Sequence, residues 1–126
     1  MKSSRLILAV AIVTAFFQAA VLGLDKDFTT DGTINPGEVW ENVTISDAPP
    51  DSTVVGMSGG QATNLNIGTY STLNVDWGFI SNLTASDTSA VNIYDAIVDQ
   101  LYSGGNSRIN LYGGDFQNVS IMKTAG

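Results

Sequence analysis

The 126-residue chain contains no cysteine and no histidine. The first absence rules out disulfide staples, on which small exported domains often rely for want of a large core. Together the two absences remove a Ser-His-Asp triad, a cysteine nucleophile, a histidine general base and every zinc site built on His or Cys. Cations are scarce too. Beyond residue 23 they are Lys26, Arg108 and Lys123, set against twelve acidic residues. Such a surface repels nucleic acid and anionic lipid, whose phosphates need Lys and Arg for neutralisation. After the first two dozen residues there is no long apolar run and no stretch of helical period.

The beginning of the chain has a different character. Lys2 and Arg5 precede an apolar run from Leu6 to Phe17 broken only by Thr14, and Val21-Leu22-Gly23 offers small or modest residues for a peptidase. This layout predicts a secretory signal peptide over 1–23, helical while it lasts and cut after Gly23. The alternative is a retained anchor, for which the run is short, since a bilayer span needs about 20 residues. The expected product is a secreted or cell-surface protein with no membrane attachment after cleavage.

What remains is periodic. Leu73-Asn74-Val75 returns as Val91-Asn92-Ile93 and as Ile109-Asn110-Leu111, a step of 18 residues each time. Val55, Leu73, Val91 and Ile109 form one apolar column, and Met57, Val75, Ile93 and Leu111 a second. Ala62, Ile80, Val98 and Phe116 form a third, and Leu65, Leu83, Leu101 and Val119 a fourth. Gly60, Gly78, Ala96 and Gly114 are small. Asn64, Asn82, Gln100 and Asn118 form an amide column, and Thr53, Ser71, Ser89 and Ser107 a hydroxyl column. A degenerate copy lies at Val39 to Ile45, where Asn42-Val43-Thr44 parallels Asn82-Leu83-Thr84; Pro49-Pro50 falls in the extra residues that follow.

Within a copy the apolar positions alternate in short bursts separated by glycine and small polar residues, which is the period of strands buried on one face. Such a unit buries its inward side chains only against copies of itself, stacked about 4.8 Å apart. The reading is therefore all-β: a single-stranded parallel β-solenoid, a right-handed β-helix, of four to five short coils. A lead-in with the degenerate coil covers 24–52, and the repeats cover 53–126. Stacked amides would form a ladder. The glycine column would mark a corner where a Cβ crowds or φ is positive. Two other solenoids do not fit. A left-handed β-helix of hexapeptides would hold its apolar residues at one phase in six, and they scatter. A calcium β-roll needs G-G-x-G-x-D, whereas Gly113-Gly114-Asp115-Phe116-Gln117-Asn118 lacks both the third glycine and the ligand aspartate. No metal or other cofactor is expected.

Thr72-Leu73-Asn74-Val75, Ala90-Val91-Asn92-Ile93-Tyr94 and Arg108-Ile109-Asn110-Leu111-Tyr112-Gly113-Gly114 resemble a repeat of the form S-x-V-N-I-x-G-G-x-V-x-x-L-x-A-x-D-x. That repeat occurs in exported bacterial proteins, often ones with a PEP-CTERM sorting tail. The resemblance spans residues 53 to 121 and implies location and fold, with hardly any chemistry. The chain departs from the pattern after Ile121, where no sorting tail follows. An open strand edge there would be a template for self-association; a truncated gene product is the other reading.

Two constellations carry candidate chemistry. Asp76, Trp77, Tyr94, Asp95 and Tyr112 occupy neighbouring positions of successive coils. As an outward patch they would suit a carbohydrate, through ring stacking and hydroxyl hydrogen bonds. The blander alternative is aromatic stacking that stabilises a sheet face. Asp95, Asp99 and Asp115 are the candidates for the paired carboxylates of a polysaccharide-degrading enzyme, which stand about 5–10 Å apart. Short turns and a single cation, Arg108, in the repeats argue against a walled cleft. Asn42, Asn82 and Asn118 begin glycosylation sequons that recur because the repeat recurs. The Thr/Ser column invites comparison with ice-binding faces, but its neighbours Val54, Thr72, Ala90 and Arg108 are irregular. The expectation is a non-catalytic structural or adhesive solenoid. The alternative is a carbohydrate-binding module or a small carbohydrate-active protein.

Overall fold

A computed structural model describes residues 24–122. The expected leader lies outside the described residues. Nine strands form one parallel sheet wound into a β-solenoid of about five turns. They are β1 (Asp25–Phe28), β2 (Gly32–Ile34), β3 (Val39–Ile45), β4 (Thr53–Ile67), β5 (Ser71–Ala85), β6 (Ala90–Ile93), β7 (Ile97–Ser103), β8 (Arg108–Leu111) and β9 (Asp115–Ile121).

The pairing follows the repeat. Leu73 lies opposite Val55 and Val91, and Val91 opposite Ile109. Leu83 lies opposite Leu65 and Leu101, and Leu101 opposite Val119. The step of 22 into the degenerate coil is also realised: Asn42 pairs with Asn64 and Val43 with Leu65. The loop holding Pro49-Pro50 absorbs the extra residues between β3 and β4. The lead-in contributes more than one degenerate coil. β1 pairs with β3, placing Asp25 opposite Asn42, and β2 pairs with β4, placing Gly32 opposite Val55.

Stacking makes each apolar column a continuous seam. Val55, Leu65, Leu73, Ile80, Leu83, Val91, Ile93, Val98 and Leu101 are all buried. At about 25 cal/mol per Å² of apolar area, each large side chain so buried contributes roughly 1.5–3 kcal/mol. Those contributions stand in for the disulfides the chain lacks. The corners belong to glycine: Gly60 has φ +82, and a Cβ there would sit 2.7 Å from the Asn35 carbonyl oxygen.

The hydroxyl column is internal. Thr53, Ser71 and Ser89 are buried. The Oγ of Ser71, Ser89 and Ser107 donates to the carbonyl three residues earlier, on Gly68, Ser86 and Gly104, at 2.6, 2.7 and 2.7 Å. These hydroxyls close the turns from within. The reason is local: each follows a tight turn, where a Ser/Thr side chain donates back to a turn carbonyl, and the Ser86 and Gly104 carbonyls accept the backbone N–H of Ser89 and Ser107 as well.

Two amide ladders run along the solenoid. In the first, Asn82 donates to Asn64 at 3.0 Å, Asn64 to Asn42 at 3.0 Å, and Asn42 to the Asp25 carboxylate at 2.9 Å. In the second, Asn110 donates to Asn92 at 2.8 Å and Asn92 to Asn74 at 2.9 Å. Asp25 sets the direction of the first ladder. An ionised carboxylate only accepts, so Asn42 must turn its NH2 toward it, and every later amide follows suit.

The ends are finished differently. At the N-terminal end the Lys26 ammonium lies 5.3 Å from the centre of the Phe28 ring and 5.6 Å from that of Trp40. Asp31 accepts the Val54 N–H at 2.8 Å. In the last described coil, β8 and β9 pair on one side only, with β6 and β7. There Leu111, Val119, Ile121 and Met122 are exposed.

Candidate functional site

The five residues of the aromatic patch all reach the surface, but they do not form one site. The rings of Tyr94 and Tyr112 stack with centroids 5.0 Å apart and planes at 7°. They cover each other's facing surfaces, as cross-strand aromatic pairs do. Trp77 stands one position later in its coil than Tyr94 and Tyr112 do in theirs, since Asp76 is the residue 18 before Tyr94. Between Met57 and Ser58 the pairing of β4 with β5 slips, so that Ser58 lies opposite Trp77 rather than Asp76. A residue inserted in this way re-aims the side chains that follow it.

Trp77 instead borders a groove of about 300 Å³ with Glu38, Gln61, Phe79 and Ile97. Its indole is 60% exposed, which is unusual for so large an apolar ring. Neither Tyr94 nor Tyr112 lines that groove, nor do Asp76 and Asp95, which stand exposed nearby in the chain.

The three candidate catalytic carboxylates are distributed. Asp95 lies between β6 and β7, Asp99 within β7, and Asp115 at the start of β9. None of them lines that groove or the larger one over β5, β7 and β9. Among the described residues no cluster of three His, Cys, Asp or Glu is placed to hold a metal ion.

A larger groove, about 590 Å³, lies over β5, β7 and β9. Its polar side chains are Asn82, Thr84, Gln100, Tyr102, Gln117, Asn118 and Ser120. No charged residue lines it. The amide column of the sequence is not one unbroken ladder. Gln100 interrupts it. Its side chain is one methylene longer than that of Asn, and the ladder stops at Asn82. No hydrogen bond engages the side chain of Gln100 or of Asn118. The signal was the single Gln in a column of Asn.

The second ladder was legible as well, in the central Asn of Leu73-Asn74-Val75 and its copies. Asn42 and Asn82 both use their Nδ2 within the ladder, so a glycan on either would displace a hydrogen bond.

The fold and surface define an all-β parallel solenoid protein. The chain matches no protein-family model, no curated protein and no solved structure.

Proposed function

We propose that this chain is a non-catalytic, exported or cell-surface β-solenoid with a structural or adhesive role. The observation that carries the reading is the use made of each position. Inward positions fill the core, hydroxyls close turns, and two outward columns bond to their own copies, the first as far as Asn82. Little is left over for chemistry, and the acids Asp95, Asp99 and Asp115 stand on open strands and loops. Export is supported by the basic, apolar and small-residue layout of residues 1–23. A right-handed coil is supported by the strong preference of parallel crossovers for that hand. Purified chain should release no reducing ends from a panel of polysaccharides; turnover lost in Asp95→Asn or Asp99→Asn would overturn the reading.

A second reading, a carbohydrate-binding module, is favoured by the exposure of Trp77 beside Phe79 and Ile97. An exposed indole face stacks on a sugar ring, and the rim groups Glu38 and Gln61 match hydroxyls. Glycan-array binding that vanishes in Trp77→Ala supports that placement, and binding that survives the substitution removes it.

A further inference from the structure

We infer that the groove over β5, β7 and β9 binds a neutral polysaccharide chain, held by the amides that the broken ladder sets free. The inference rests on the carbohydrate-binding reading and assigns it a different surface from Trp77.

Asn64 and Asn42 use both ends of their amides along the ladder, one end donating and the other accepting. Asn82 donates to Asn64, which leaves its Oδ1 unused. Beyond it the amides of Gln100 and Asn118 are free at both ends, and both residues are exposed. An amide offers two donors and an acceptor, which is the set that sugar hydroxyls complement.

The groove's neutrality narrows the ligand. The chain carries a net charge of −7, yet no charged side chain lines this surface. An anionic polymer would find no cation here, and a cationic one no carboxylate. A neutral polyol loses nothing by desolvating against amides and hydroxyls, since each hydrogen bond to water is replaced in kind. Tyr102 supplies the apolar flank that a sugar ring stacks against; its hydroxyl is held by the Met122 sulfur at 3.5 Å. The groove crosses three coils, about 10 Å along the axis, so the ligand is a chain running parallel to the solenoid and not a single sugar.

Gln100→Asn tests this with two readouts of opposite sign. It should restore the ladder from Asn82 to Asn118, raise the melting temperature and consume the free amides. The purified chain would be titrated calorimetrically with cello-, xylo-, manno- and malto-oligosaccharides. The expected result is binding of at least one by the wild type, weakened about tenfold in Gln100→Asn and in Asn118→Ala, in keeping with the loss of one or two hydrogen bonds. Binding unchanged in both variants but lost in Trp77→Ala would overturn the groove and leave the carbohydrate reading standing. No binding by the wild type would overturn both.

Discussion

At the N-terminal end, Lys26 covers Phe28 and Trp40, Asp25 terminates a ladder, and Asp31 satisfies a strand-edge N–H. In the last described coil the same columns lie open. Leu101 is 1% exposed, and its successor Val119 is 47% exposed. The difference shows what the repeat supplies and what it does not. An interior coil is buried by its neighbours on both sides; a terminal coil needs residues from outside the pattern. β1 supplies them through charges on an edge strand, a known way of blocking unwanted pairing.

The largest effect should come from exploiting that contrast within one column. Leu101→Ala is expected to cost about 2–5 kcal/mol, the range for a large buried side chain truncated in a close-packed core. Val119→Ala, one coil further on, should cost less than about 1 kcal/mol, because little apolar area is lost there. Urea denaturation of both variants measures the gap directly. Equal costs would mean that the last coil is as well covered as the interior.

Next comes the closed end's backbone. Gly60→Ala should cost about 1–3 kcal/mol, because φ is +82 and the new Cβ meets the Asn35 and Glu38 carbonyl oxygens at 2.7 and 2.8 Å. A melting temperature unchanged by this substitution would show that the corner relaxes freely.

Trp40 sharpens the comparison differently. Its indole Nε1 is buried without a partner, and an unsatisfied donor costs about 1–3 kcal/mol. Trp40→Phe removes that donor along with some packing, so the two effects offset to within about 1 kcal/mol. Trp40→Ala removes the cap and should be clearly worse by the same measure. A large loss in Trp40→Phe would mean that the N–H has a partner in solution.

How much of this was legible depends on where the period holds. The core columns, the glycine corner and the offset first coil follow directly from residues that recur at a fixed step, because stacking forces like onto like. β1 and β2 were not readable as strands of the sheet. Asp25 stands 17 residues before Asn42, and Gly32 stands opposite Val55, so neither keeps the repeat's step. The hydroxyl column was visible, but not its inward direction, which depends on the turn preceding each Ser. The separation of Trp77 from the two tyrosines was in the spacing, since Trp77 precedes Tyr94 by 17 residues, whereas the slip that sets Ser58 opposite Trp77 was announced by none. The Gln at 100 was in plain view, but the end of the ladder at Asn82 was not.

A smaller effect concerns Asp25. Asp25→Ala should cost roughly 0.5–1 kcal/mol, the worth of one ladder hydrogen bond, whereas Asp25→Asn keeps an acceptor and should cost less. The smallest effect on stability is expected from the paired change Val119→Lys with Ile121→Lys, within about 0.5 kcal/mol for an exposed surface. Self-association through the last coil, one form of the adhesive role, predicts that this pair lowers the sedimentation coefficient. A wild type already monomeric at high concentration would remove that form.

The register of coil on coil has a direct test, made clean by the absence of native cysteine. Asn64→Cys combined with Asn82→Cys places two thiols on stacked positions about 4.8 Å apart at the backbone, within disulfide reach. Asn64→Cys combined with Leu83→Cys places them on opposite faces of the sheet. Under mild oxidation the first pair should close an intramolecular disulfide quantitatively and the second should not. Closure of the second pair, or failure of the first, would contradict the stack.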